Sequence, residues 1–465
     1  MPEENHSFCK LAPFRALLHS GPQGAYMASS VFSRPFFFFY GLLWRAALPF
    51  LKKSRRLADG WKERLVPEHW LEPDFTDAPD GHAVDLWLQA ASGGEARLAV
   101  SVCRSLRKDT PLRVLVVTWT RQGRDVIEKA IPALKESHPL LTLAVRFAPF
   151  DRPDIARRAL ALAKPRLVAL LETELWPSLM AACREQGVPL YVMNGRITAS
   201  TVNFGRRFSS LMKAVSPSAV YAISEHDRRG FAAIFPCPTQ TMPNIKFDLA
   251  LELLEKPLPE NAFRAEGPVF LFASVRTGEE TRIPGQIASL FKARPDACAV
   301  VVPRHLHRVE AWKSVLADLG HSPLLLSDMG ENISLPAGRV LIWNRFGDLP
   351  QLYAAAQTVF VGGSFGQGGQ NFLESLAAGR VPCIGPSASN FLWAMSREGN
   401  LPSLEQSGLL RSAPTPREVI EAMLQLAETP RPRSDVRKDF QDWLSPRLGG
   451  SLQTASILEE AMKKA

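Results

Sequence analysis

Carboxylates standing just beyond apolar runs are the first residues of this chain with chemistry to offer. In AASGGE (90–95) a strand-like run ends in small residues and then Glu95, where a helical pattern begins. A carboxylate there serves as a general base at a cleft, or only complements a helix dipole at under about 1 kcal/mol. In LLETELWP (170–177), Glu172 and Glu174 are two apart and share one face of an extended chain. Carboxylates ending a buried strand are costly unless paired, solvated or used. Lys246, in MPNIKFD (242–248), follows a short extended run near the middle of the chain. It is placed either to meet a phosphate or carboxylate, or to be solvated.

The second half carries cations and glycines. VVPRHLHRVEAW (301–312) ends an apolar run at Pro303, Arg304 and His305, with Arg308 one turn further on. Guanidinium groups there suit a phosphate. SVRTGEE (274–280) has the same form, a strand followed by a turn that opens a helix at Glu279 and Glu280. VGGSFGQGGQNFLE (361–374) places five glycines between a strand and a helix expected from Asn371 to Ala378. A helix N-terminus with free N–H groups receives a phosphate, and Glu374 is placed to accept ribose hydroxyls. Glycine-rich turns also serve tight packing. His305 and His307 have no companion ligand at zinc spacing, so no metal site is expected. No Walker A lysine or DxD is present. Nor is there a basic, aromatic-interleaved helix, so no nucleic-acid partner is expected.

These residues need elements to hold them. Apolar runs alternate with helical patterns at 84–92, 113–120, 141–150, 167–176, 189–196 and 219–225, then at 269–275, 298–304, 322–328, 339–344, 358–364 and 381–386. Such runs are the mark of parallel sheets covered on both faces. The reading is an α/β chain of two Rossmann-like doubly wound domains facing a cleft, at 61–248 and 269–465. A Pro-rich linker at 249–268 joins them, and a tail with a membrane anchor precedes them at 1–60. A length of 465 residues calls for two cores. The formal charge of +9 points to an anionic partner. Six scattered cysteines without a CxxC pair point to a reducing compartment.

The aromatic run from Phe36 to Leu51 is interrupted by Arg45 and Pro49 and followed by Lys52, Lys53, Arg55 and Arg56. It is short for a full span, which needs roughly 20 residues. The expectation is a membrane-surface anchor or a short tilted span, its basic flank on the cytoplasmic side.

With these stretches in order, the sequence resembles the 3-deoxy-D-manno-octulosonic acid (Kdo) transferases of Gram-negative lipopolysaccharide synthesis. The likeness rests on LWLQAASGGE, ETELWP, VMNGRITAST, ISEHDRRGF, PNIKFD, ASVRTGEE, VPRH, FVGGSFGQGGQNFLE and IGPSASNF. It implies a B-type glycosyltransferase on the cytoplasmic face of the inner membrane, moving Kdo from CMP-Kdo to a lipid A precursor with inversion and without a metal or other cofactor. It implies that Glu95 is the catalytic base, and that Glu172, Glu174 and Lys246 assist the transition state. It also implies that Pro303, Arg304, Phe346, Gly347, Asp348, Asn371, Phe372, Leu373 and Glu374 bind the CMP of the donor. Phe372 and Ser375 stand where the family has prolines, Asp348 where it has Glu, and Arg276 where His is common. Two other readings remain open: a B-type glycosyltransferase or epimerase using a UDP-sugar, and a non-catalytic relative.

Overall fold

The computed structural model describes residues 26–72, 74–75, 81–257, 263–330, 333–366, 368–395 and 401–465. The first sheet holds seven parallel strands: β1 (Leu86–Gln89), β2 (Leu112–Thr118), β3 (Leu141–Phe147), β4 (Leu167–Leu171), β5 (Leu190–Gly195), β6 (Ala219–Ala222) and β7 (Thr239–Thr241). Their spatial order is β3-β2-β1-β4-β5-β6-β7. Every residue of β1 and β4 is buried, as expected of strands with helices on both faces. The edge strand β7 reads TQT, too short and polar to register as an apolar run.

β8 (Arg264–Ala265) and β12 (Ser334–Leu335) form a separate two-stranded parallel pair. The second sheet comprises β9 (Val269–Val275), β10 (Cys298–Pro303), β11 (Leu324–Leu325), β13 (Val340–Ile342), β14 (Thr358–Val361), β15 (Pro382–Ile384) and β16 (Arg411–Ser412). Its order is β11-β13-β10-β9-β14-β15-β16, again all parallel. The strand order reverses between β1 and β4 in one sheet and between β9 and β14 in the other. In open α/β sheets ligands bind at such switch points, beyond the carboxyl ends of the strands.

The link between the domains differs from the sequence expectation. A helix over Ile245–Glu255 occupies the start of the expected linker. Residues 258–262 of that linker lie outside the described residues. Ile245 packs under the first sheet, while Phe247, Ala250 and Leu254 enter the core of the second. The final helix, Gly450–Lys464, does not stay with the second domain. Ala455, Leu458, Ala461 and Met462 pack against the first sheet, and Ser451 Oγ lies 2.8 Å from Ser101 Oγ. Asp248 ties the two together by accepting the N–H groups of Gly449 (2.8 Å) and Ser451 (2.6 Å) at the start of that helix.

The N-terminal aromatic run forms a helix, Tyr26–Leu51. Phe36, Phe37 and Trp44 pack on the core of the first domain, and Leu48 is buried within it. The Tyr40 hydroxyl donates to Asp151 at 2.9 Å. Phe38, Phe39, Leu43 and Phe50 point outward, 64–77 % exposed. No helix among the described residues is long and apolar enough to cross a membrane. Residues 1–25 of the expected tail lie outside the described residues.

Candidate active site

Glu95, Glu172, Glu174 and Lys246 converge at the switch point of the first sheet. Ser92 and Glu95 form a capping box on the helix Gly93–Ser105: Glu95 accepts the Ser92 N–H (2.9 Å), and Ser92 Oγ accepts the Glu95 N–H (3.3 Å). Small residues before the cap let β1 deliver this helix start directly to the strand end. Glu172 is the first residue beyond β4. It is buried, sits at a left-handed φ of +58°, and forms an ion pair with Lys246. Glu174, on the same turn, accepts from Trp176 Nε1 at 2.6 Å, and the Trp176 ring stacks on Trp119 at 4.5 Å.

The electrostatics follow from burial and like charge. Burial, then the neighbouring Glu172, holds the Glu95 carboxyl above its ordinary range; the Ser92 and Ala91 N–H groups and Lys246 oppose this. Burial, then Glu95, pushes Glu174 up to about 7. Glu174 is thereby brought near neutral pH, the condition for general acid–base work.

Lys246 is held by residues that sequence reasoning did not single out. Asn244 caps its helix, its Oδ1 accepting the Lys246 N–H at 3.0 Å. Asn194, at the end of β5 with φ +53°, accepts the Ile245 N–H at 2.9 Å. The only local sign is an Asn before Gly at a strand end, in VMNGR, a residue type that tolerates left-handed backbone. Glu172, Asn194 and Ser274 are three of the five described non-glycine residues at positive φ, and all three close strands facing the cleft. Such strain persists where surrounding structure over-determines it, and it clusters at functional sites.

On the second sheet, Pro303 is buried at the end of β10. Arg304 donates its N–H to Val275 O at 2.8 Å and exposes its side chain. Burial, then Arg276 and Arg304, holds His305 below the usual imidazole range. Phe346 is exposed on a turn with Gly347 at φ +100°. The Asp348 carboxylate is engaged within that turn, accepting from Trp343 Nε1 (2.9 Å) and Arg345 Nε (2.6 Å).

The segment after the glycine loop departs from expectation. The helix covers only Leu373–Ala377, not Asn371 to Ala378. Asn371 forms a turn instead: its Oδ1 accepts the Leu373 N–H (3.2 Å) and its Nδ2 donates to Glu374 (3.1 Å). The Phe372 and Leu373 side chains lie in the core, Phe372 against Phe391 at 4.8 Å, so these two residues offer a ligand only backbone. Burial raises the Glu374 carboxyl; Arg97 of the first domain, Asn371 and Arg304 lower it. Glu374 thus sits where the domains face each other. Further contacts cross the same cleft: Arg196 Nη1 donates to Asn390 O (3.2 Å), and Lys246 Nζ lies 5.9 Å from the Trp393 ring centre. Among the described residues no group of three His, Cys, Asp or Glu side chains is placed to hold a metal.

A family profile described as 3-deoxy-D-manno-octulosonic-acid transferase matches residues 59–249, which include Glu95, Glu172, Glu174 and Lys246. The 3-deoxy-D-manno-octulosonic acid transferase of Bordetella pertussis is 30% identical over 416 residues, covering 88% of this chain and 94% of that protein. The chain belongs to the Kdo transferase family. Its membership makes it a glycosyltransferase. A Kdo transferase of Rickettsia bellii is 28% identical over 312 residues, covering 65% of this chain and 71% of the relative. Anabaena HepE, solved in complex with UDP-glucose, superposes with a TM-score of 0.51 at 14% identity, over 82% of this chain and 100% of that one. That likeness is one of fold, and it agrees with the two-domain α/β arrangement of this Kdo transferase family member.

Proposed function

We propose that this chain transfers Kdo from CMP-Kdo to a sugar hydroxyl of a lipid A precursor, inverting the anomeric centre without a metal, at the cytoplasmic face of the inner membrane. The observation that carries the reading is the Glu95–Glu172–Glu174–Lys246 cluster at the first sheet's switch point. The acceptor hydroxyl attacks the anomeric carbon and yields its proton to Glu95, while the bond from that carbon to the CMP phosphate oxygen breaks. Positioned proton transfer of this kind contributes roughly 10²–10⁴-fold. CMP leaves with growing negative charge, which Arg304 and Lys246 stabilise electrostatically. The outward face of the helix Tyr26–Leu51, with Lys52 and Lys53 after it, supports docking on an anionic membrane that presents the acceptor.

One observation favours a second assignment of the base. Glu174 is pushed up to about 7, nearer the working pH than an ordinary carboxyl. Incubating the purified protein with CMP-Kdo and a lipid A precursor separates the two, reading CMP release and the mass of the lipid product. Glu95→Gln is expected to lower the rate about 10²–10⁴-fold. Full activity in that variant, with loss in Glu174→Gln, would move the base to Glu174. Selective thermal stabilisation by UDP over CMP would overturn the donor.

A further inference from the structure

A glycine loop between a strand and a helix ordinarily offers its backbone N–H groups to a ligand's anion. Here an internal anion already holds them. Glu279, only 2 % exposed, accepts the N–H groups of Arg276 (2.8 Å) and Gly363 (2.9 Å) on Oε2. Its Oε1 accepts those of Ser364 (3.1 Å) and Phe365 (3.3 Å). One carboxylate thus joins the segment leaving β9 to the segment leaving β14, the two strands that flank the second switch point.

The glycines are shaped to this contact. A Cβ on Gly362 would lie 2.7 Å from Glu279 Oε2 and 2.6 Å from the Val275 Cα, and Gly363 adopts φ +72°. Ser364 extends the tie, accepting the Gly385 N–H at 2.8 Å while donating to Val361 O at 2.9 Å. The joined segments then present Arg276 and Gln370 side by side: both pack within 3.4 Å of where a Cβ on Gly363 would stand.

We propose that Glu279 is a positioning residue for the donor half of the site: it occupies the loop's anion nest from inside and holds Arg276 and Gln370 at the donor face. This rests on the reading that the CMP-sugar binds beyond the carboxyl ends of the second sheet. The donor's phosphate is then met by side chains around the loop, not by the N–H groups of residues 363–365.

The test uses the full-length protein and compares Glu279→Gln with the parent. The amide turns one acceptor oxygen into a donor facing N–H groups, and each charge-assisted hydrogen bond lost is worth about tenfold or more. The donor KM is expected to rise at least about tenfold and the thermal shift produced by CMP to shrink, with the acceptor KM within about twofold of the parent. Gly362→Ala, which wedges the carboxylate aside and keeps its charge, should give the same pattern. The inference is overturned if both variants keep the donor KM and the CMP shift, or if donor and acceptor KM worsen together. Failure of the donor reading has a different signature, because CMP would then leave the parent itself unshifted.

Discussion

Glu172 combines three costs at one position: a left-handed backbone, a buried carboxylate and like-charged neighbours. A non-glycine residue held at such φ costs of the order of 1–3 kcal/mol. The ion pair with Lys246 offsets the burial, which leads to a prediction about protons. Lys246 favours the ionised form of Glu95, so removing its charge raises the Glu95 pKa further. A higher pKa requires a higher pH to free the base. Lys246→Met is therefore expected to move the acidic limb of the kcat/KM profile to higher pH and to lower the plateau about 10–100-fold. A limb that stays in place would separate Lys246 from the base.

At the scale of elements, Asp151 connects the N-terminal helix to the turn that carries Glu174. Its carboxylate accepts from Tyr40, from the Ser178 N–H at 3.1 Å and from the Leu179 N–H at 3.0 Å. Ser178 and Leu179 open the helix Pro177–Glu185, directly after the ETELW turn. Burial pushes Asp151 up to about 7, while its unfolded value is about 3.9. The folded state then holds a proton that the unfolded state releases, so stability falls as pH rises from about 4 to about 7 and levels off above. Asp151→Asn should flatten that slope by roughly 1 kcal/mol per pH unit, read from unfolding between pH 5 and 8. The outward face of the N-terminal helix carries a separate prediction. Burying one Phe is worth about 1.5–3 kcal/mol, so Phe38→Asp with Phe39→Asp should weaken binding to anionic phospholipid vesicles on the order of 100-fold or more. The fold should stay intact, because both side chains point away from the core.

For the whole molecule, the decisive arrangement is the return of the last helix to the first sheet. The helix Tyr26–Leu51 and the last helix both pack on the first domain, and Asp248 holds the start of the returning helix. Leu458, fully buried under the first sheet, should cost about 2–5 kcal/mol when cut to Ala, although it lies in the last ten residues. Thermal unfolding checks this; a loss confined to fraying of the final helix would contradict the packing. Through the helix Ile245–Glu255, Lys246 pairs with Glu172 of the first domain while Phe247 anchors in the second core. A change in the angle between domains therefore reaches Lys246 directly.

Much of this was legible locally. Apolar runs marked β1, β4, β9 and β14, because a strand buried on both faces must be apolar throughout. Carboxylates just beyond them marked Glu95, Glu172 and Glu174, since charge at a buried strand's end demands a use or a partner. What the residues alone left open was which groups meet. Pairing Glu172 with Lys246 spans 74 positions, and closing Glu279 on Gly363 spans 84. The second contact exists because β14 lies beside β9, and the first because Asn194, at the end of β5 beside β4, holds the helix start that carries Lys246. The glycine stretch read locally as a cradle for a phosphate, since free N–H groups await an anion. Tertiary structure supplied that anion from Glu279, and Asn371 spent its side chain on a turn where a longer helix was expected. Local pattern determined the elements and the residue types at their ends; only tertiary packing decided which charge meets which.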